Sequence, residues 1–309
     1  VTDIILHHYQ NSPFAEKIRL IFGFKKLAWH SVLIPAIMPK PDLIALTGGY
    51  RRTPVMQIGA DIYCDTALIA DVLERIAPSP ALYPPAMSGV ARTLGQWADT
   101  NLFWTAMPYS FQRSAMQDIF HDMPEDHIKA FLSDRAAMRT NAPRVAAVDA
   151  RGHLAEMLRR LEQMLEDGRP YLLDTEPTIA DFSAYHPVWF VRRAKAIAAI
   201  LDSFPKLLAW HDRMAAIGHH QFVKMSAQRA VDIARDSTPA NVLGSAFVDV
   251  HGVALGERVT IMPIDYALDP VEGDLILATE NEFAIRRIDE RAGTVVVHFP
   301  RLGFQLKKI

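Results

Sequence analysis

The period of the apolar residues changes twice along this chain, and each change falls at a proline-containing linker. Up to about Ile76, short apolar runs alternate with helical spacings. Ile4-Ile5-Leu6 reads as a strand, and Phe14, Ile18, Ile21 and Phe22 as one face of a helix. Trp29 to Ile34 is a second strand, and Asp42 to Leu46 a short helix closed by Gly48-Gly49. Thr53 to Ile58 and Ala60 to Cys64 are strands meeting at Gly59, followed by an amphipathic helix from Thr66 to Ile76. This β-α-β-α-β-β-α order predicts a compact α/β unit. Beyond the linker Pro78 to Pro85, residues Met87 to Arg235 show helical spacing and no strand pattern, with breaks at Pro124, at Gly168 to Pro170 and at Phe204-Pro205. Alternation returns after Ser237-Thr238-Pro239, in Glu257 to Ile261, Leu275 to Thr279, Phe283 to Ile288 and Thr294 to Phe299. With turns expected at Gly273 and Gly293, five or six short strands predict a small all-β region, barrel or meander. The expected division is 1–78 α/β, 86–236 all-α and 241–309 all-β.

Composition narrows the function classes. Half of the 309 residues are hydrophobic, enough to fill cores, and the formal charge is −2. That balance argues against broad electrostatic binding to nucleic acid or to an anionic membrane. No apolar run approaches the ~20 residues of a membrane span. The start VTDIILHHY has neither a basic nor a long apolar signal segment. Cys64 is the single cysteine, so no internal disulfide forms. A soluble cytoplasmic protein is the expectation. Adjacent histidines, His7-His8 and His219-His220, point apart on a strand or helix and make poor chelates, and no metal motif is present.

Three places carry chemistry, each with a purely structural alternative. Asn11-Ser12-Pro13-Phe14 is a well-made helix start, with Ser as N-cap and Pro at the first helical position. The same hydroxyl, in the positive potential of free amides, can donate to a thiolate and lower its pKa. Pro54, opening a strand, is an ordinary loop proline or a cis proline that frees a backbone edge for a peptide-like ligand. Asp65-Thr66 is an N-cap, or a site where helical amides and the Thr66 hydroxyl hold a carboxylate while Asp65 pairs an ammonium. Together these groups suit an amino-acid zwitterion.

In this order within one unit, the motifs resemble the glutathione transferase family. NSPFAEKIRLIF (11–22) is similar to its first-helix motif, RTPVMQIGADIYCDTALIADVLE (52–74) to its proline–strand–turn–strand–helix motif, and YLLDTEPTIADFSAY (171–185) to its C-terminal signature, with Thr178 and Asp181 as a capping box. The resemblance covers about residues 3 to 235. It implies a thioredoxin-like glutathione-binding domain followed by a helical-bundle domain.

The resemblance further implies that Ser12 donates to the glutathione thiolate, as in serine-type classes. Tyr9 is the alternative, offset from the tyrosine of other classes relative to Lys17-Ile18-Arg19-Leu20. The Val55 backbone, after Pro54, would pair with the cysteinyl part of glutathione, and Asp65 and Thr66 would hold its γ-glutamyl end. Lys40 and Arg52, with Arg51 as a weaker candidate, would hold its glycyl carboxylate, unless they are solvated loop charges. A small electrophilic apolar substrate would lie against Phe14, Trp104, Met107 and Phe111, although most helical aromatics, Trp97 and Phe103 included, pack in cores. Glutathione is the expected co-substrate, with no metal, and a homodimer is expected. The activity implied is glutathione conjugation, or with the same site isomerisation, dehalogenation or thioether cleavage. A non-catalytic scaffold with the same fold is the alternative. Cys64 reads as a small buried residue. The run HFPRLGF, His298 to Phe304, in the extra β-region suggests no chemistry.

Overall fold

The computed structural model describes residues 3–121, 123–139, 145–240, 246–248 and 250–309. The first unit follows the expected order: β1 (Ile4–His8), α1 (Pro13–Lys25), β2 (Trp29–Leu33), α2 (Pro41–Thr47), β3 (Val55–Ile58), β4 (Asp61–Cys64) and α3 (Thr66–Ile76). β2 pairs parallel to β1, β3 antiparallel to the other edge of β1, and β4 antiparallel to β3. Successive side chains on a strand face opposite ways. Accordingly Ile4 and Leu6 join the core shared with α1, α3 and the helices that follow, while Ile5 joins a second core on the other face. His7 and His8 diverge for the same reason: His7 meets Gln57 at 2.8 Å, and His8 meets Ser31 at 2.9 Å and Arg19 at 3.0 Å.

The helical region comprises α4 (Ser88–Trp97), a π-helical turn (Ala98–Leu102), α5 (Phe103–Ser110), α6 (Arg113–Ile119), α7 (Glu125–Met138), α8 (Ala147–Met164), α9 (Ile179–Arg193), α10 (Lys195–Ala198) and α11 (Pro205–Ala216). The capping box at α9 forms as expected. The buried Asp181 carboxylate accepts from the Leu172 and Thr178 amides, each at 2.8 Å, and from the Trp210 indole at 2.9 Å. One residue thereby ties the α9 start to the preceding loop and to α11. None of the described helices is long and apolar enough to cross a membrane.

The expectation of a strand-free stretch up to Arg235 is corrected by β5 (Phe222–Met225), which adds parallel to β2 at the sheet edge and precedes α12 (Ala227–Asp236). Phe222, Val223 and Lys224 are exposed, so no buried face marks this strand in the sequence. It forms because the edge of β2 offers backbone partners and Trp29 stacks on Phe222, ring centroids 4.8 Å apart.

The last region supplies β6 (Arg258–Pro263), β7 (Val271–Ala278), β8 (Glu282–Asp289), β9 (Gly293–Pro300) and β10 (Phe304–Lys308). Its expected start at Asn241 lies outside the described residues. Gly293 opens β9 with φ 71°, as a turn requires. Gly273 is not at a turn but inside β7, where a Cβ would lie 2.8 Å from the Arg286 carbonyl oxygen. Close approach of two backbones, not chain reversal, requires glycine there.

These strands do not stand apart. β9 pairs parallel with β4, so one ten-stranded sheet runs β10-β6-β7-β8-β9-β4-β3-β1-β2-β5. At the joint the buried His298 ring lies 3.1 Å from Asp61 and 2.7 Å from Glu282 and stacks on Tyr63. Burial opposes its charge, but the two carboxylates outweigh burial and raise its pKa. Ile5, Val55 and Ile62 share the second core with α12 and with Val259, Phe283 and Val297 of the added strands.

Candidate functional site

Ser12 caps α1. Its side chain accepts from the Ala15 amide at 3.2 Å, and Pro13 occupies the first helical position. That bond uses the oxygen as acceptor and leaves the hydroxyl proton to be donated. Ser12 is buried, yet it lines a cavity of about 250 Å³. Tyr9 lines the same cavity, and its carbonyl accepts from the Ser12 amide at 3.2 Å. Of the two, Ser12 stands at the helix N-terminus, where free amides favour negative charge.

The rest of this cavity is apolar and comes mainly from the helical region. Phe14, Trp104, Met107 and Phe111, expected as a substrate face, all line it, joined by Phe103, Phe131 and Phe190. Trp97 instead borders a separate surface groove with Val90 and Leu161, because the π-helical turn after α4 shifts the helical phase.

A second cavity, of about 380 Å³, shares Phe14, Arg52, Thr53, Trp104 and Tyr266 with the first. Pro54, Asp65 and Thr66 line it. The Thr53–Pro54 bond is cis. Asp65 caps α3 by accepting from the Ala67 amide at 2.9 Å, and it holds φ at 75°. A non-glycine residue there is strained by roughly 1–3 kcal/mol, which the cap bond and the surrounding strands must hold in place. Burial pushes the Asp65 pKa up, opposed by the Ala67 amide, Arg52 and Lys17. Val55 and Lys40 line neither cavity. Val55 is buried in β3 opposite His7 and Cys64. The buried Lys40 ammonium donates to the Thr53 hydroxyl at 3.3 Å, and burial with Arg135 nearby brings its pKa down to about 8. Cys64 is fully buried, which pushes its thiol pKa up and leaves it unreactive.

Several residues at the site escape sequence reasoning. Lys17 is fully buried on the floor of the larger cavity, 2.6 Å from Asp99 and 3.3 Å from the Thr66 hydroxyl. Asp99, in the π-helical turn, also accepts from Ser183 at 3.2 Å and from His186 at 2.9 Å. Burial works against its charge, but Lys17 and His186 prevail and lower its pKa. The signal for Lys17 was present: it sits three residues after Phe14, on the apolar stripe of α1. Asp99 had no comparable signal, since its partners come from distant segments.

The loop between β6 and β7 is the other addition. Arg52, expected to meet a ligand carboxylate, donates to the Asp265 carboxylate and the Tyr266 carbonyl. Its guanidinium lies 3.8 Å from the Tyr266 ring centroid. Tyr266 meets Trp104 edge-on at 4.8 Å, and the Ala267 amide donates to the Met138 carbonyl at 2.9 Å. The loop is therefore fastened to the α/β unit through Arg52 and to the helical region through Trp104 and Met138. Asp265, Pro300, Leu302 and Phe304 complete the wall of the larger cavity, so the added strands build part of the site.

Residues 6–81 match the family description "Glutathione S-transferase, N-terminal domain" and residues 125–213 match "Glutathione S-transferase, C-terminal domain". The crystal structure of a GST-like protein from Pseudomonas syringae is 41% identical, with all of both chains covered and a TM-score of 0.84. A glutathione S-transferase from Rhodospirillum rubrum F11 is 20% identical, covering 69% of this chain and 88% of its own at a TM-score of 0.53. The beta-etherase LigF from Sphingobium sp. strain SYK-6 is 19% identical over 69% of this chain and 95% of its own, again at 0.53. These two low-identity matches share the fold. No curated protein matches the chain.

Proposed function

Because the chain belongs to the glutathione S-transferase family, we propose that it binds glutathione across the two cavities and transfers it to an apolar electrophile. Glutathione, when bound, supplies the nucleophilic sulfur. Ser12 donates its hydroxyl proton as a hydrogen bond to that sulfur and, with the α1 amides, favours the thiolate. Asp65 pairs the γ-glutamyl ammonium, and the Thr66 hydroxyl with the first amides of α3 receives the adjoining carboxylate. The buried Lys17 beside Thr66 adds positive potential there. Phe14, Trp104, Met107 and Phe111 hold the electrophile beside the sulfur, so that proximity and thiolate stabilisation supply the rate. The proposal includes a cytoplasmic homodimer.

The observation that carries this reading is the position of Ser12: a capping hydroxyl on the wall of an aromatic cavity that adjoins the Asp65–Thr66 cavity. Ser12→Ala is expected to slow glutathione conjugation of an aryl halide at least tenfold, with Tyr9→Phe much closer to the parent. Equal rates in Ser12→Ala and the parent would remove Ser12 as the activating group. A second reading, a non-catalytic scaffold, draws support from Arg52, whose charge is already met by Asp265. Calorimetry with millimolar glutathione separates the two, since a scaffold of that kind takes up no heat.

A further inference from the structure

Tyr266 comes from the loop between β6 and β7, yet it lines both cavities. Its ring is fixed by the Arg52 guanidinium, 3.8 Å from the centroid, and by the edge-on contact with Trp104 at 4.8 Å. Its backbone carbonyl accepts from Arg52 as well. The hydroxyl, by contrast, hydrogen-bonds to no described residue. A tyrosine hydroxyl in such packed surroundings ordinarily has a partner. The charges that bear on it come from both sides, Asp65 on the wall of the larger cavity and Arg135 on that of the smaller. The hydroxyl therefore stands at the seam between the two.

Burial pushes its pKa up to about 12, with Asp265 and Asp65 adding to the rise and Arg52 opposing it. The phenol keeps its proton at neutral pH and is a donor held in place before a ligand arrives. Such a donor gains most where negative charge develops on its acceptor, away from bulk water. The sulfur already has Ser12 and the α1 amides. The acceptor left for Tyr266 is on the other reactant.

Resting on the glutathione-transferring reading above, we infer that the electrophile is a conjugated aryl carbonyl and that Tyr266 is a further catalytic residue, donating to its carbonyl oxygen. The aromatic ring of that substrate lies among Phe14, Phe111 and Trp104. The sulfur bonds to the β-carbon, the carbon–carbon π pair shifts toward the carbonyl, and the oxygen takes up the negative charge. Nothing leaves. The thiol proton has passed to solvent, and a solvent proton then reaches the α-carbon. Tyr266 keeps its own proton and hydrogen-bonds to the enolate oxygen. Two atoms separate the β-carbon from that oxygen, so Ser12 serves one end of the reacting unit and Tyr266 the other. The added β-region thus supplies a reacting group as well as a wall.

Two readouts on the full-length protein test this. Tyr266→Phe keeps the ring and removes only the oxygen. In the first readout, benzylideneacetone and benzyl chloride are offered with glutathione. Benzyl chloride has no oxygen and loses chloride as the sulfur–carbon bond forms. The ratio of kcat/KM for the enone to that for the chloride is expected to fall at least tenfold in Tyr266→Phe. An unchanged ratio overturns the inference, because a merely structural role slows both substrates alike. The second readout is infrared difference spectroscopy of bound benzylideneacetone without glutathione. A hydrogen bond weakens the carbonyl bond, so its stretch is expected at lower frequency in the parent than in Tyr266→Phe. This readout needs no turnover. A lower stretch in the parent, with conjugation of neither substrate, sinks the transferase reading and keeps the Tyr266 site. The same stretch in both proteins, or no uptake of the enone by the parent, overturns the inference whatever the rates do.

Discussion

Replacing Asp99 by asparagine is expected to cost about 3–5 kcal/mol, the range for breaking a buried ion pair from one side. Lys17 is fully buried and its ammonium has two partners, Asp99 at 2.6 Å and the neutral Thr66 hydroxyl at 3.3 Å. Without the Asp99 charge that ammonium is left uncompensated. The reverse change, Lys17→Met, is milder, roughly 1–3 kcal/mol. Asp99 then keeps Ser183 and His186, and the imidazole 2.9 Å away can take a proton to balance it. The double variant has neither charge of this pair, so it should be more stable than Asp99→Asn alone, with a favourable coupling on the order of 1–3 kcal/mol. Urea unfolding of all four proteins gives the cycle. It should be followed by tryptophan fluorescence and far-ultraviolet circular dichroism together, because a chain with more than one unit can depart from two-state behaviour. The folded carboxylate pKa is depressed, so the stability it contributes is present above ~3.9 and is lost as pH falls through the lower folded value. A cost below about 1 kcal/mol for Asp99→Asn, or strict additivity in the double variant, would refute the reasoning.

The joint between the two parts of the sheet should respond to pH in the opposite direction. The His298 pKa is raised in the fold, so its contribution is fully present below ~6.5 and is lost as pH rises through the folded value. The protection factors of β9 amides, in which the base-catalysed intrinsic exchange rate is divided out, should therefore fall as pH rises through that value in the parent, and His298→Gln should abolish that fall. An unchanged pH profile in the variant would show that other groups set it. Tyr266→Ala removes a cation–π contact and an edge-on ring contact, together about 1–3 kcal/mol. Exchange in the loop from Ile264 to Pro270 should quicken about tenfold or more while β1 to β4 keep their protection. Unchanged exchange in that loop would show that its hold is the Arg52–Asp265 pair and the backbone bonds to Arg52 and Met138, not the Tyr266 ring.

Much of the architecture was legible because local rules agree with the fold. The Ser12-Pro13 start, the Thr178–Asp181 box and the alternation in β6 to β9 each act within a few residues, and each forms as the sequence implies. What stayed hidden depends on partners far away. β5 has three exposed residues and owes its existence to the free edge of β2. No local pattern says whether the outer edge of β4 is bare or paired, so the place of the last strands could not be read. The run His298 to Phe304 then explains itself: His298 bridges the joint, Phe299 fills the second core and Phe304 borders the larger cavity. That Phe14, Trp104, Met107 and Phe111 share one cavity was legible from helical spacing, but the cations beside them were not. Arg135 and Arg139 reach it only because α7 folds back over α5, and Tyr266 because the last region lies against both earlier ones.

The account rests on Ser12 acting on a bound thiol, and the most direct test is the thiolate absorbance of the glutathione complex across pH. In the parent protein the thiolate should form at least one unit below the ~8.5 of an ordinary cysteine, and in Ser12→Ala the midpoint should move back toward that value with glutathione still bound. A parent complex that titrates like free glutathione, or identical curves for the two proteins, would contradict it.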